Sequence, residues 1–513
     1  MIFSSILSVA GGLILSAAFP TLNLDLLAWL AFIPLLVALE REKFLPRAAI
    51  CGFFFGLAFF AVDLRWIIQT MVTYGKFHPF TATLIFVSMV SALALLPALF
   101  SVACVFLNNR GFDLLLIAPA AWASLEYIRT YIFTGFPWDL AAYSQAHRLA
   151  LAQICDLTGV YGLSFLIVMV NVGLLSFMKF FVDKDWNHLF RLLITFACLG
   201  IVLIYGTVRL RDFPENKVVA DTVSAGILQG DISQDIKWDP LSRSQTFVRY
   251  ESLAQDAVKH GANLLIWPET SVPVVIGGSD PSWKYATYIS RKLQVPMLIG
   301  APYEMRSHDN INFFNSAFLV ENGELTERYD KIHLVPFGEY MPLSWMLPLG
   351  PGLAAREADY SAGSRVTIMK PGGFPPFGVL ICYEAIFPDI ARFAVLSGAE
   401  ALINITNDGW FGNSAAPYQH LGMAGFRAIE NRVWLFRAAN TGVSAVYDRA
   451  GRLVASLPLM EQGALVQRIP ARPQAGSFYT RHGDIFAWTV TGLLAIMFFF
   501  GFSISRPLAK GFK

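Results

Sequence analysis

Long apolar runs fill the first part of the chain, break off, and return once near the other end. They cover residues 2–20, 24–39, 48–62, 81–107, 114–133, 160–181 and 189–205, with a last run at 485–504. A bilayer core about 30 Å thick takes roughly 20 mainly apolar residues in a helix. The pattern therefore predicts a membrane α-helical bundle of about seven N-terminal spans plus one C-terminal span. The second and third runs are short enough to be re-entrant. The first lacks a basic n-region and further spans follow at once, so it reads as a span and not as a secretory signal.

Between the seventh and eighth runs the texture changes. Charges, Pro, Gly, Asn and Asp return, and apolar stretches shorten to strand length. Strands are predicted at 223–229, 263–267, 295–303, 377–382, 401–406, 434–440 and 444–448, with helices at 242–260, 281–293, 388–396 and 418–432. Gly261 stops the first of these helices. Residues 313–320 and 324–331 read as a hairpin around Asn322-Gly323, a dipeptide that accepts positive φ. Strands interleaved with helices give a layered α/β core. The expected organisation is a bundle over 1–210, a catalytic α/β domain over 218–475 and a closing helix over 485–505.

Composition sharpens this picture. Of 513 residues, 55% are hydrophobic and 15% charged, against about 25% charged in a typical soluble domain. The net charge of +2 comes without a basic tract, which excludes a nucleic-acid partner. Lys and Arg are modestly enriched in the loops on the side of the termini (Arg41, Lys43, Arg47, Arg110, Lys179, Lys184, Arg191). Cytoplasmic termini follow, and hence an extracytoplasmic α/β domain. The eight His residues show no HExxH spacing, so no metal site is expected. Among five cysteines, Cys51, Cys104 and Cys198 lie inside apolar runs and Cys155 beside one, leaving Cys382 alone in the polar interval.

Three polar residues stand where predicted strands end: Glu269, Lys331 and Cys382. Strand ends are where ligand clefts open in α/β folds. Singly, each has an ordinary reading, as a helix-start carboxylate, a solvated cation and a core thiol. Together they make a chemical scheme. A thiol becomes a good nucleophile only when deprotonated. A carboxylate takes that proton, and an ammonium favours the thiolate and then the oxyanion formed by attack on a carbonyl.

The segments WPET (267–270), YDKIHLVPFGEYMP (329–342), GVLICYE (378–384) and NITNDGWFG (404–412) closely resemble the nitrilase, or carbon-nitrogen hydrolase, superfamily. Joined to the spans and to FPWDLAAYSQ (136–145), the chain resembles the apolipoprotein N-acyltransferases along essentially its whole length. The resemblance implies an αββα sandwich inserted in the bundle. It implies Glu269 as general base, Lys331 as oxyanion-stabilising cation and Cys382 as nucleophile. Glu339, Tyr383 and Glu384 match supporting positions, with the Tyr383 N–H an oxyanion donor. Trp238 matches an aromatic beside the lipid entry and Asn315 a structural amide. It also implies a ping-pong transfer, without cofactor or metal, in the bacterial inner membrane. A phospholipid, in all expectation the sn-1 chain of phosphatidylethanolamine, donates an acyl group to Cys382. The thioester then acylates the α-amine of a diacylated lipoprotein.

Other residues have plainer readings. Trp410, in NDGWFG, is expected at the wall of the site. Asn407-Asp408-Gly409 is a turn that brings backbone near the thiol, while Tyr418 and His420 read as structural. Glu126 and Arg129 share a helix face and are expected to pair. Competing functions are a membrane-tethered amidase acting on a small amide, a transporter with an accessory domain, and a catalytically dead binding domain. A bundle of many spans favours two lipid substrates over the first. The few intramembrane charges count against the second, and the complete triad against the third.

Overall fold

The computed structural model describes residues 1–213, 221–306, 310–340, 359–473 and 475–503. The expected domain start at 218, Met341-Pro342 of the second motif and the end of the last span lie outside these residues. The chain divides into two compact units. One comprises Met1–Ile68, Pro79–Val208 and Asp484–Lys513, the other Gln69–His78 and Arg209–Gly483.

The first unit is helical. Five described helices are long and apolar enough to cross a membrane: Leu45–Asp63, Pro79–Asn108, Val160–Asp183, Trp186–Asp212 and Ile485–Ser503. Three other expected spans take different forms. Ile2–Ala17 is a shorter helix, and Leu114–Tyr131 carries the buried Glu126 and Arg129. Residues 24–39 split into a 3-10 turn, Asp25–Trp29, and a helix, Ile33–Glu40. Pro34, in the first turn of that helix, has no N–H to continue a helix arriving from before it. Glu126 accepts from the Trp122 indole at 2.8 Å and the Ala141 N–H at 2.7 Å. The Arg129 guanidinium lies over the Phe60 ring.

The second unit holds two six-stranded mixed sheets. The first orders β12-β1-β2-β3-β4-β5, from β1 (Thr222–Gln229), β2 (Leu264–Ile266), β3 (Met297–Arg306), β4 (Ile311–Glu321), β5 (Glu324–Asp330) and β12 (Gly463–Pro470). The second orders β11-β10-β9-β8-β7-β6, from β6 (Ile368–Met369), β7 (Phe377–Ile381), β8 (Ala401–Thr406), β9 (Trp434–Ala439), β10 (Ser444–Tyr447) and β11 (Leu453–Leu457). The parallel pairs β1-β2-β3 and β7-β8-β9 form the centres, and antiparallel strands flank them. Alternate residues of the two sheets, such as Ile227, Ile266 and Leu319 against Val379, Ile403 and Phe436, interdigitate in one buried core. The other face of the first sheet packs on α1 (Pro240–Lys259) and α2 (Lys284–Leu293), through Tyr250, Leu253 and Ile289. Helices α3 (Pro388–Leu396) and α4 (Ala416–Asn431) accompany the second.

The hairpin β4–β5 turns at Asn322 and Gly323, both at positive φ (52° and 83°), as Asn-Gly permits. Strands β6, β11 and β12 were not predicted. They are short or half-exposed, and β12 pairs with β1, more than two hundred residues earlier.

Candidate active site

Each of the three residues singled out in the sequence follows the end of a strand, on β2, β5 and β7. Glu269 comes three residues after Ile266, and the chain there lies against β3 at Gly300. A Cβ on Gly300 would meet the Pro268 carbonyl oxygen at 2.5 Å and the Glu269 Cα at 2.8 Å. Only glycine lets the two backbones approach so closely. Glu269 is buried, and its two oxygens have separate partners. Oε1 accepts from Asn315 Nδ2 at 2.8 Å, while Oε2 accepts from the Asn407 N–H at 2.7 Å. The buried Lys237 ammonium donates to the Glu269 carbonyl at 3.3 Å.

Lys331 follows β5, and backbone bonds to Asn315 and Gly363 fix its position. Its ammonium is 1% exposed, 2.9 Å from Glu339 and 3.9 Å from Glu269. Burial pushes the ammonium down, but Glu339 and Glu269 together hold it well above the usual lysine range. It stays charged at any working pH. Asn315 Nδ2 also donates to Glu339 at 2.8 Å, so one amide links both carboxylates. The second Glu339 oxygen takes the Val335 N–H at 2.7 Å.

Cys382 opens a 3-10 turn directly after β7, at φ 52°. This left-handed conformation is disfavoured for a non-glycine residue. It turns the thiol out of the strand direction, and the neighbouring structure must hold it. Burial pushes the thiol well above its ordinary value; Glu269 adds to this, while Lys331 opposes it. The resting thiol is therefore protonated and needs a base at the moment of attack.

The supporting residues fall in two groups. Glu384 is fully buried and ties the second sheet to the first. It accepts from Tyr329 OH (2.8 Å), the Ile332 N–H (2.7 Å), the His333 N–H (3.1 Å) and the Ile381 N–H (2.7 Å). Burial pushes its pKa up to about 7 against these donors. The Tyr383 ring packs edge-on against Phe387 at 5.1 Å. Trp238 sits half-buried in the turn next to Lys237. Trp410 is 42% exposed. Within the same unit, Thr70 donates to the Trp410 carbonyl at 3.0 Å, and the Tyr74 ring meets its indole at 5.5 Å. Among the described residues, no three His, Cys, Asp or Glu side chains are grouped to hold a metal ion.

Sequence reasoning missed Lys237, the Asn407 backbone and the polar cluster behind Cys382, which includes Asp408, His420 and Arg437. Lys237 stands beside Trp238 in KWDP, and NDG was legible as a turn bringing backbone near the thiol, without its bond to Glu269.

Two mixed sheets closed around one core, with a thiol, a carboxylate and an ammonium at strand ends, are the frame of the carbon-nitrogen hydrolases. Residues 224–474 match the Carbon-nitrogen hydrolase family model, and residues 11–173 match the Apolipoprotein N-acyltransferase N-terminal domain. Relatives extend the likeness over nearly the whole chain. The apolipoprotein N-acyltransferase of Geobacter metallireducens is 38% identical over 96% of this chain and 94% of its own. Those of Methylococcus capsulatus and Rhodopseudomonas palustris are 33% and 31% identical, over 96% and 90% of this chain and 94% and 87% of theirs. The chain belongs to the apolipoprotein N-acyltransferase family, and its activity is that of an acyltransferase.

Proposed function

We propose that Cys382 takes an acyl chain from a phospholipid and passes it to the N-terminal amine of a diacylated lipoprotein. The observation that carries this reading is the buried Lys331 ammonium, held against Glu339 and Glu269 and within the field of the Cys382 thiol.

In the first half-reaction Glu269 removes the thiol proton as sulfur attacks the ester carbonyl. Negative charge collects on the carbonyl oxygen, where Lys331 and the Tyr383 N–H stabilise it. The ester C–O bond then breaks, and the proton on Glu269 passes to the leaving lysophospholipid oxygen. The donor is the sn-1 chain of phosphatidylethanolamine. In the second half the α-amine of the diacylglyceryl-cysteine attacks the thioester and loses its proton to Glu269. The C–S bond breaks, an amide forms, and the proton returns to sulfur. No external energy source is needed, because the ester already carries an activated acyl group. A lipid-lined site keeps water from the thioester. Trp238, Asn315 and Trp410 form the walls around the substrates.

The domain arrangement we propose is a bundle over 1–210, the catalytic domain over 218–475 and a closing helix over 485–505. The protein is a multi-pass protein of the bacterial inner membrane with its catalytic domain on the periplasmic side, in keeping with the Lys and Arg of the opposite loops.

The test is mass analysis of the purified enzyme after incubation with phospholipid. An acyl mass on the Cys382 peptide, discharged by a diacylated lipopeptide, is expected. Absence of the adduct removes the thioester mechanism.

A further inference from the structure

Behind the nucleophile lies a buried polar cluster that the acyl-transfer scheme leaves without a role. It comprises Asn404 and Thr406 on β8, Asp408 in the turn after it, His420 on α4 and Arg437 on β9. All five are essentially inaccessible. His420 Nε2 sits 3.1 Å from the carbonyl oxygen of Cys382. Its Nδ1 is 3.1 Å from both Asp408 Oδ1 and Arg437 Nη2. Arg437 Nη2 donates to Asp408 Oδ2 at 2.6 Å, and Thr406 donates to Asp408 Oδ1 at 2.9 Å. Arg437 also holds the Asn404 side chain, whose amide donates to the Leu380 carbonyl at 2.9 Å. The cluster thus grips Cys382 at its carbonyl oxygen.

The proton on the imidazole can be placed from these contacts. A carbonyl oxygen offers no hydrogen, so Nε2 must donate to it. The Asp408 carboxylate already balances the Arg437 guanidinium, and a second proton on His420 would leave an unmatched positive charge in the interior. Burial and the Arg437 charge push His420 below its ordinary range, which agrees. His420 is therefore neutral, with its proton on Nε2 and Nδ1 accepting from Arg437.

A peptide unit is planar and trans, so the Cys382 C=O and the Tyr383 N–H belong to one plane and point opposite ways. Anchoring the oxygen on one side aims the N–H on the other. A hydrogen bond to the carbonyl polarises the attached N–H further.

We propose that His420 is a positioning residue: through the Cys382 carbonyl it fixes the plane of the peptide whose N–H receives the oxyanion. This rests on Cys382 being the acylated nucleophile. It predicts a loss in the step that builds negative charge on oxygen, and little change in steps that do not.

The test uses the full-length enzyme in detergent as wild type, His420→Leu and His420→Gln. Gln can still present an N–H to the carbonyl. Three rates are compared: acylation of Cys382 by phospholipid, acylation by p-nitrophenyl butyrate, and alkylation of Cys382 by iodoacetamide, which forms no oxyanion. Removing an oxyanion donor costs about 100- to 1000-fold, and a misaimed one should cost roughly 10- to 100-fold. His420→Leu is expected to lower kcat for both acylations by that factor at nearly constant KM. Alkylation should change by less than about threefold, and His420→Gln should recover most of the loss. Acylation by His420→Leu at the wild-type rate overturns the proposal. So does an equal loss in all three rates that Gln does not rescue, since that marks a general packing defect. Wild-type enzyme acylated by the nitrophenyl ester but not by phospholipid sinks the lipid-donor reading and leaves the His420 comparison to be decided on the ester. Wild-type enzyme acylated by neither removes both.

Discussion

Lys331 and Glu339 form the tight ion pair of the site, at 2.9 Å, while Glu269 stands 3.9 Å from the same ammonium. The two carboxylates are thereby given different work. Glu339 neutralises Lys331 and, through Val335, holds its own loop. Glu269 is held by an amide and a backbone N–H and faces the thiol side. A base tightly paired with a cation would be a poor proton acceptor, so the longer separation belongs to the residue that must take a proton.

Glu339→Gln should accordingly leave Cys382 able to form a thioester, while weakening the hold on Lys331. Thioester formation, followed by intact mass, is expected to slow by about tenfold. Transfer to the lipopeptide amine should fall further if Glu339 also contacts that amine. Glu269→Ala should form no thioester at all. Equal and complete loss of thioester in both variants contradicts the division of labour.

The thiol itself supplies a prediction about pH. Burial raises it, Glu269 raises it further, and Lys331 lowers it. Removing a negative charge eases deprotonation and removing a positive one hinders it. Iodoacetamide labelling of Cys382 in the wild type should therefore keep rising above pH 9, beyond the plateau of a free thiol near pKa 8.5. In Glu269→Gln the rise should move to lower pH, although acyl transfer is lost. In Lys331→Met it should move to higher pH. Peptide mapping separates Cys382 from the other four cysteines. A profile that does not move to lower pH in Glu269→Gln would show that its charge does not act on the sulfur.

How far the sequence reveals this site depends on the range of each interaction. The β4–β5 hairpin was legible because Asn322-Gly323 carries its own backbone preference. Cys382 was legible because it is the one cysteine in the polar interval, and Glu269 and Lys331 because strands run up to them and the surrounding motifs resemble nitrilases. The anchors were hidden. Asn407 offers a backbone N–H to Glu269 from 138 residues away, and a backbone group has no signature in composition. His420 read as structural because its partners come from the turn after β7, the turn after β8 and β9. The helix break in residues 24–39 was likewise masked, since hydropathy continues smoothly across Pro34.

Glu384 links the turn of Cys382 to the loop after β5, and its two oxygens accept four donors. Glu384→Gln places an amide group against at least one N–H. This should cost roughly 1–3 kcal/mol of stability and about tenfold in acylation. A pH effect accompanies it. Burial raises the Glu384 pKa from 4.5 to about 7. A carboxyl whose folded pKa is raised contributes stability fully below its unfolded pKa and loses it as pH rises through the folded value. The melting temperature of the wild type should therefore fall between about pH 5 and pH 7.5, while Glu384→Gln, which cannot titrate, stays flatter in that window. Parallel curves for the two proteins would remove Glu384 as the source.

Gly300 offers a way to disturb the base without altering any reacting group. It lies on β3, and a Cβ there would meet the Pro268 carbonyl oxygen at 2.5 Å, the Thr270 N at 2.7 Å and the Glu269 Cα at 2.8 Å. All three are backbone atoms, which cannot swing aside as a flexible side chain would. Gly300→Ala must push the Glu269 segment off β3, at a cost of roughly 1–3 kcal/mol for overpacking. The displacement moves the carboxylate relative to Asn315 and Asn407, which stay on other elements. Acylation of Cys382 should fall by about 100-fold, as expected for a base misplaced by about 1 Å. The iodoacetamide rate, which needs no proton transfer to Glu269 during attack, should stay within about threefold of wild type at the same pH. If Gly300→Ala acylates as fast as wild type, the close approach of β3 to the Glu269 segment has no part in holding the base.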